Sequence, residues 1–362
     1  MSKEHKERAS GKEQTQATET ASAHSASDKA QRIKGRNVTI DNAKGLLVLL
    51  FMIVHAVRSI PKNFPLSDWF YHSPPALIKW WGFNLLDLAP VAFFFFIGFV
   101  VYDAFEKRYL HSGRAAYREF FLKNMAIMGL FLCLIFVQNN LSGGTTQWAY
   151  FVSIGFTGFL MLPFLHPRIR KSTAAKFICA AAVFVFYYFM RGLLFKFLAP
   201  APGNEGYGNS GGGPAACFGF LGVVLLAAGL GDIAKKKLWL YAVFTAAIYL
   251  LGLATTLVLK PDYQTFNVEY LFGAFSKFNL IYFIFLLFNK YVLKGKAIPF
   301  IATLGRNILL YLIITLLLIS ALGLFGFAPT DLKGVIIRVA VFAAAYALIS
   351  IPLAKKKTLF KL

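Results

Sequence analysis

Two side chains in this sequence, His55 and Asp87, could move a proton inside an apolar environment. An imidazole with an unperturbed pKa of about 6.5 can take a proton from a hydroxyl or an amine. A carboxylate beside it would orient the ring and stabilise its protonated form. Each also has a plainer use, His55 as a hydrogen-bonded packing residue and Asp87 as the cap of a helix that Pro90 interrupts. Asp41, Asn42 and Lys44 lie in the same run as His55, 11 to 14 residues earlier. At a helical rise of ~1.5 Å per residue, Asp41 and His55 are about 21 Å apart and serve opposite ends of one crossing. Lys277, within Ser276-Lys277-Phe278-Asn279, could bind an anionic group or pair with Glu269. Arg306 precedes Asn307, and its guanidinium could fork onto a phosphate or meet lipid headgroups. Trp80 and Trp81 read as interfacial belt residues, with Trp81 also placed to contact a substrate.

The elements that must carry these residues are membrane helices. Of the 362 residues 57% are apolar and 15% charged, against about 25% charged in soluble domains. The apolar runs approach the ~20 residues needed to cross a bilayer, which excludes a barrel of short alternating strands. Ten spans are expected, at about 38–57, 84–104, 122–139, 147–165, 174–192, 214–231, 238–258, 267–289, 300–325 and 334–353. Ionisable groups within them are costly and therefore functional candidates. Of the 38 Lys and Arg, 28 fall in the N-terminal tail and every second connection, seven on the opposite side and three inside spans. That bias places both termini in the cytoplasm.

The fold class expected is thus an all-α integral membrane protein of about ten transmembrane helices. Residues 1–37, without aromatics, Leu or Val, read as a disordered basic cytoplasmic tail, 38–354 as the membrane domain and 355–362 as a second basic tail. No apolar core occurs in the first 30 residues, so no cleaved signal peptide is expected. Lys235-Lys236-Lys237 and Lys355-Lys356-Lys357 read as anchors on anionic lipid, and nucleic acid is not an expected partner. The glycine-rich stretch at 200–214 lacks a GK[ST] sequence and is no phosphate loop of the known kinds; it reads as a flexible connection or a substrate lid. Three cysteines without a CxxC pair suggest neither a disulfide framework nor zinc, and no metal is expected.

Ile40 to His55 resembles the first-helix signature of the acyltransferase-3 family, with an Asp, a basic residue and Gly (here Lys44-Gly45), then an apolar run ending in His. Trp80 to Gly98, Gly213-Pro214 and Leu304-Gly305-Arg306-Asn307 resemble the related heparan-α-glucosaminide N-acetyltransferase group, in order and spacing over most of residues 38–325. The resemblance implies a multi-helix enzyme that takes an acyl group, most simply acetyl, from acyl-CoA in the cytoplasm. It would pass that group to a hydroxyl or amine of a glycan or lipid-linked sugar across the membrane, in the setting of a bacterial inner membrane and cell-envelope glycan modification. It implies His55 as base with Asp87 beside it, and Lys44, Arg306, Asn307, Arg114 and Arg118 on the cofactor, leaving Lys277 and Trp81 to the acceptor. The chain departs from the N-acetyltransferase group where Leu77 stands for its histidine, the nearest being His72. Two other readings stay open: a transporter or flippase of an anionic solute using Lys277, Arg306 and Arg338, and a catalytically silent scaffold.

Overall fold

The computed structural model describes residues 37–57, 85–142, 150–198, 213–259, 261, 266–325 and 332–356, and among them every regular element is helical. In chain order these are α1 Val38–Val57, α2 Leu85–Ser112, α3 Ala115–Ser142, α4 Tyr150–Leu160, the single turn α5 Pro167–Arg170, α6 Thr173–Leu198, α7 Gly213–Lys236, α8 Leu238–Val258, α9 Val268–Tyr291, α10 Pro299–Arg306, α11 Ile308–Leu324 and α12 Leu332–Lys356. Seven helices of the described residues are long and apolar enough to cross a membrane, or eight if α10 and α11 form one bent span. The chain has the build of a multi-pass α-helical membrane protein.

Two helices lie at the centre and the rest surround them. α2 and α7 have most of their apolar windows buried, whereas α3, α6, α8 and α12 turn the larger part outward. Phe189 and Tyr188 of α6, Leu250 and Val258 of α8 and Leu348 of α12 are exposed, a surface that suits acyl chains and not water. Inside lipid, apolar area gives no net drive to associate, so close packing of small residues and rings must hold helices together. α7 supplies the small residues. Phe94 of α2 stacks on Phe220 of α7 with ring centroids 4.1 Å apart, and the rings of Phe177, Phe184 and Tyr187 from α6 cover Gly229, Gly222 and Gly219. Buried hydroxyls and amides stitch the outer pairs. Tyr241 of α8 donates to Asn279 of α9 at 2.6 Å, and the Asn279 amide donates to Thr245 at 3.0 Å. On α11 and α12, Tyr311 bonds Ser350, and Thr315 bonds Tyr346, each at 2.5 Å.

Three spans differ from their sequence expectation. Among the described residues the run at 147–165 is α-helical only over Tyr150–Leu160, short of a crossing, and passes into a 3-10 turn at Leu162–Leu165 that contains Pro163. The run at 84–104 continues as helix to Ser112, because its polar extension finds partners on three neighbours: Asp103 meets Lys235 at 2.5 Å, Glu106 pairs with Arg170, and Arg108 meets Glu119 at 3.4 Å. The run at 300–325 is not one straight helix. It breaks at Asn307 with an 84° bend between α10 and α11. The cause is local: the Asn307 side-chain amide donates to the Thr303 carbonyl at 3.0 Å, inserting into the helical ladder where the backbone turns out of it.

Candidate functional site

One end of the bundle gathers the starts of α1, α3, α6 and α10 with the ends of α2, α7 and α9, and the motif residues of the first helix each have a distinct task there. Asp41, buried, accepts from Arg306 Nε at 3.3 Å, tying α1 to the end of α10. Asn42 is fully buried and clamps the α9–α10 connection. Its amide donates to the Asn289 side chain at 3.2 Å and to the Lys296 carbonyl at 3.0 Å, and its carbonyl oxygen accepts from the Ile298 N–H at 3.2 Å. Gly45 and Gly305 let α1 and α10 cross in backbone contact: a Cβ on Gly305 would lie 1.8 Å from the Asp41 carbonyl oxygen, and one on Gly45 1.9 Å from that of Ile301. Further along the same end, Lys176 meets Asp232 at 2.5 Å and lies 4.3 Å above the Tyr102 ring.

Lys44 has the remaining task. It lines the mouth of a cavity of about 290 Å³ enclosed by α1, α2, α3, α4, α7 and α11. Arg108 of α2 and Lys123 of α3 join it, so three cations ring the opening, and Glu119 offsets one of them. Behind the mouth the walls are apolar, including Ile97 and Val100 of α2, Ile127 of α3 and Leu312 of α11. On α2 the lining runs from Arg108 to Phe93, which at ~1.5 Å per residue is about 22 Å. The space is therefore a slot, long and narrow. Two polar side chains interrupt its apolar wall, Asn124 and Thr157.

The inner end of the slot lies towards the other membrane face. Phe93 lines it, and its ring meets Phe51 of α1 edge-on at 6.0 Å. Phe51 stands one helical turn before His55, and Phe93 six residues after Asp87, so the backbones carrying both run side by side beyond the slot. The side chains of His55 and Asp87 lie outside the described ones, and Trp81, Leu77 and His72 outside the described residues altogether.

Of the cofactor residues expected from the sequence, Lys44 lines the slot. Arg306 instead holds Asp41, and Asn307 forms the bend. Arg114 and Arg118 are exposed beside the α2–α3 turn, while Arg108 and Lys123 take the positions at the mouth. Lys277 is fully buried within α9, among helices rather than on this slot. Sequence reasoning missed Arg108, Lys123, Asn124 and Thr157. A signal existed: Lys123-Asn124 and Thr157 are polar interruptions of apolar helices. No group of three or more His, Cys, Asp or Glu able to hold a metal occurs among the described residues. Comparison with known proteins finds no family model that matches the chain and no curated protein that matches it significantly.

Proposed function

We propose that this chain is a ten-span membrane acyltransferase with both termini in the cytoplasm, drawing an acyl group from acyl-CoA and passing it to a hydroxyl or amine of a glycan or lipid-linked sugar. The observation that carries this reading is the slot: a mouth ringed by Lys44, Arg108 and Lys123 leads into a narrow apolar passage that ends beside the helices bearing His55 and Asp87. Phosphates of the donor belong at the cations. The slender pantetheine arm follows the slot and brings the thioester to its inner end. There His55 takes the proton of the acceptor hydroxyl or amine, the oxygen or nitrogen attacks the thioester carbonyl, the new C–O or C–N bond forms and the C–S bond breaks, and the departing thiolate recovers the proton. Asp87 orients the imidazole. Arg306 contributes by fixing α10 against α1 through Asp41, and Asn307 by setting the bend between α10 and α11. The test is transfer of labelled acetyl from acetyl-CoA to envelope glycan or lipid fractions by the purified protein. Transfer by the parent that falls at least a hundredfold in His55→Ala supports the reading; equal transfer by both overturns the role of His55.

A second reading, transport of an anionic solute, is favoured by the bent α10–α11 pair, since transporters build sites on broken helices. Solute uptake into proteoliposomes that survives His55→Ala and needs no acyl-CoA would select it.

A further inference from the structure

The basic end of the bundle holds a further cavity, separate from the slot. A cleft of about 530 Å³ opens where the first turn of α1 meets the end of α9, lined by Thr39, Leu286, Asn289, Lys290, Lys294 and Gly295. Asn289 is buried and joins the two helices: its amide donates to the Thr39 hydroxyl oxygen at 2.7 Å, and its carbonyl oxygen accepts from Asn42 at 3.2 Å. Thr39 is thereby held in place with its own hydroxyl proton left to donate. Lys290 and Lys294 are exposed and have no acidic partner among the described residues; Lys290 only leans on the Tyr291 ring, its Nζ 5.3 Å from the centroid. No carboxylate lines the cleft. Two cations and a hydroxyl, all donors, converge there from two helices, which suits a singly charged phosphate ester. Towards the membrane interior the lining turns apolar. Leu46 and Ile53 follow Thr39 at seven-residue spacing, so they stay close to its face of α1 with a drift of about 20° per step. Both are exposed, on a helix whose other faces pack on α10, α11 and α12. Leu286, one turn before Lys290, supplies the facing wall on α9. A soluble phosphate makes no use of this apolar furrow, whereas an acyl chain covers it.

We propose that this cleft binds an anionic phospholipid, its phosphate held by Lys290, Lys294 and the Thr39 hydroxyl and one acyl chain lying against Leu46 and Ile53. The lipid touches both helices that Asn289 joins, so it braces the Asn42–Asn289 clamp at the start of α1 and adds to the stability of the fold. The lysine runs at 235–237 and 355–357 attract anionic lipid through charge alone; here a cleft with fixed donors and an apolar floor selects one molecule. The site is the same whether the slot takes acyl-CoA or a solute.

Lipid titrated into the purified full-length protein in an uncharged detergent tests this, with retained lipid counted by native mass spectrometry and the melting temperature followed. The probes are phosphatidylglycerol, phosphatidylcholine and glycerol 3-phosphate, the last a headgroup without chains. Phosphatidylglycerol should bind and raise the melting temperature, and Lys290→Gln combined with Lys294→Gln should weaken that binding about tenfold or more. Both lysines are exposed, so parent and variant should melt together in the absence of lipid, which separates lost binding from lost folding. Lys355→Gln, Lys356→Gln and Lys357→Gln together remove more charge elsewhere and should leave the binding unchanged. Phosphatidylcholine binding as tightly as phosphatidylglycerol, or phosphatidylglycerol binding that is indifferent to the lysine pair, overturns the proposal. An equal loss in the triple variant overturns it too, since the attraction is then diffuse. Displacement of phosphatidylglycerol by equimolar glycerol 3-phosphate would make the cleft a site for a soluble phosphate ester and likewise overturn the lipid.

Discussion

At the scale of single residues, the stretch Asp41-Asn42-Ala43-Lys44-Gly45 divides its labour in a way that spacing alone could not reveal. Asn42 makes three hydrogen bonds to the α9–α10 region from a fully buried position. Asn42→Leu would take the amide donor from the buried Asn289 carboxamide oxygen and remove two half-buried bonds, to the Lys296 carbonyl and from the Ile298 N–H. With one buried unsatisfied group costing about 1–3 kcal/mol, the variant should lose about that much, read as a lower melting temperature in detergent. The run that ends in His55 was legible from the sequence, since its expected bounds, 38–57, are those of α1. The partners of Arg306 were not, since Asp41 is 265 positions away in the chain and both a phosphate and a carboxylate suit a guanidinium.

At the scale of elements, apolar runs of membrane length announced nearly every helix, and their boundaries failed where polar residues found partners outside the run, at the Asn307 bend, and at Leu160, where the helix gives way to a 3-10 turn containing Pro163. α2 continues past its apolar stretch because Asp103, Glu106 and Arg108 are each paired, a tertiary fact invisible to hydropathy. The bend at Asn307 was equally hidden, because Leu304-Gly305-Arg306-Asn307 contains no proline and reads as continuous helix. The crossing of α1 over α10 depends on the absence of side chains at Gly45 and Gly305. Gly305→Ala sets a carbon against the Asp41 carbonyl and must push the helices apart, at a cost of about 1–3 kcal/mol or more. Gly113→Ala, at a turn with φ +56 and open space around it, carries only the backbone strain of about 1 kcal/mol. Gly305→Ala should therefore melt well below Gly113→Ala and elute with more aggregate on size exclusion.

At the scale of the whole molecule, most of the basic residues and the ion pairs of Asp41, Asp103, Glu106, Glu119 and Asp232 share one end of the bundle, and the slot opens there. If that end is cytoplasmic, as the charge bias implies, single cysteines introduced at Lys236 and Lys294 react with a membrane-impermeant maleimide only when the cytoplasmic side is accessible. Labelling of either from the opposite side of intact cells would invert the account. The slot itself could not be read from the sequence, since its lining comes from six helices and no local pattern encodes their meeting. The central claim is that the donor enters this slot from the basic end and delivers its acyl group at the other. The most direct measurement supplies labelled acetyl-CoA to either face of sealed vesicles carrying the parent or Ile97→Trp, which fills the passage midway. Label reaching acceptor only when the donor is on the basic side, and lost in Ile97→Trp while the protein remains folded, is the result expected. Transfer that proceeds from the opposite side, or that is unaffected by the blocked slot, would contradict it.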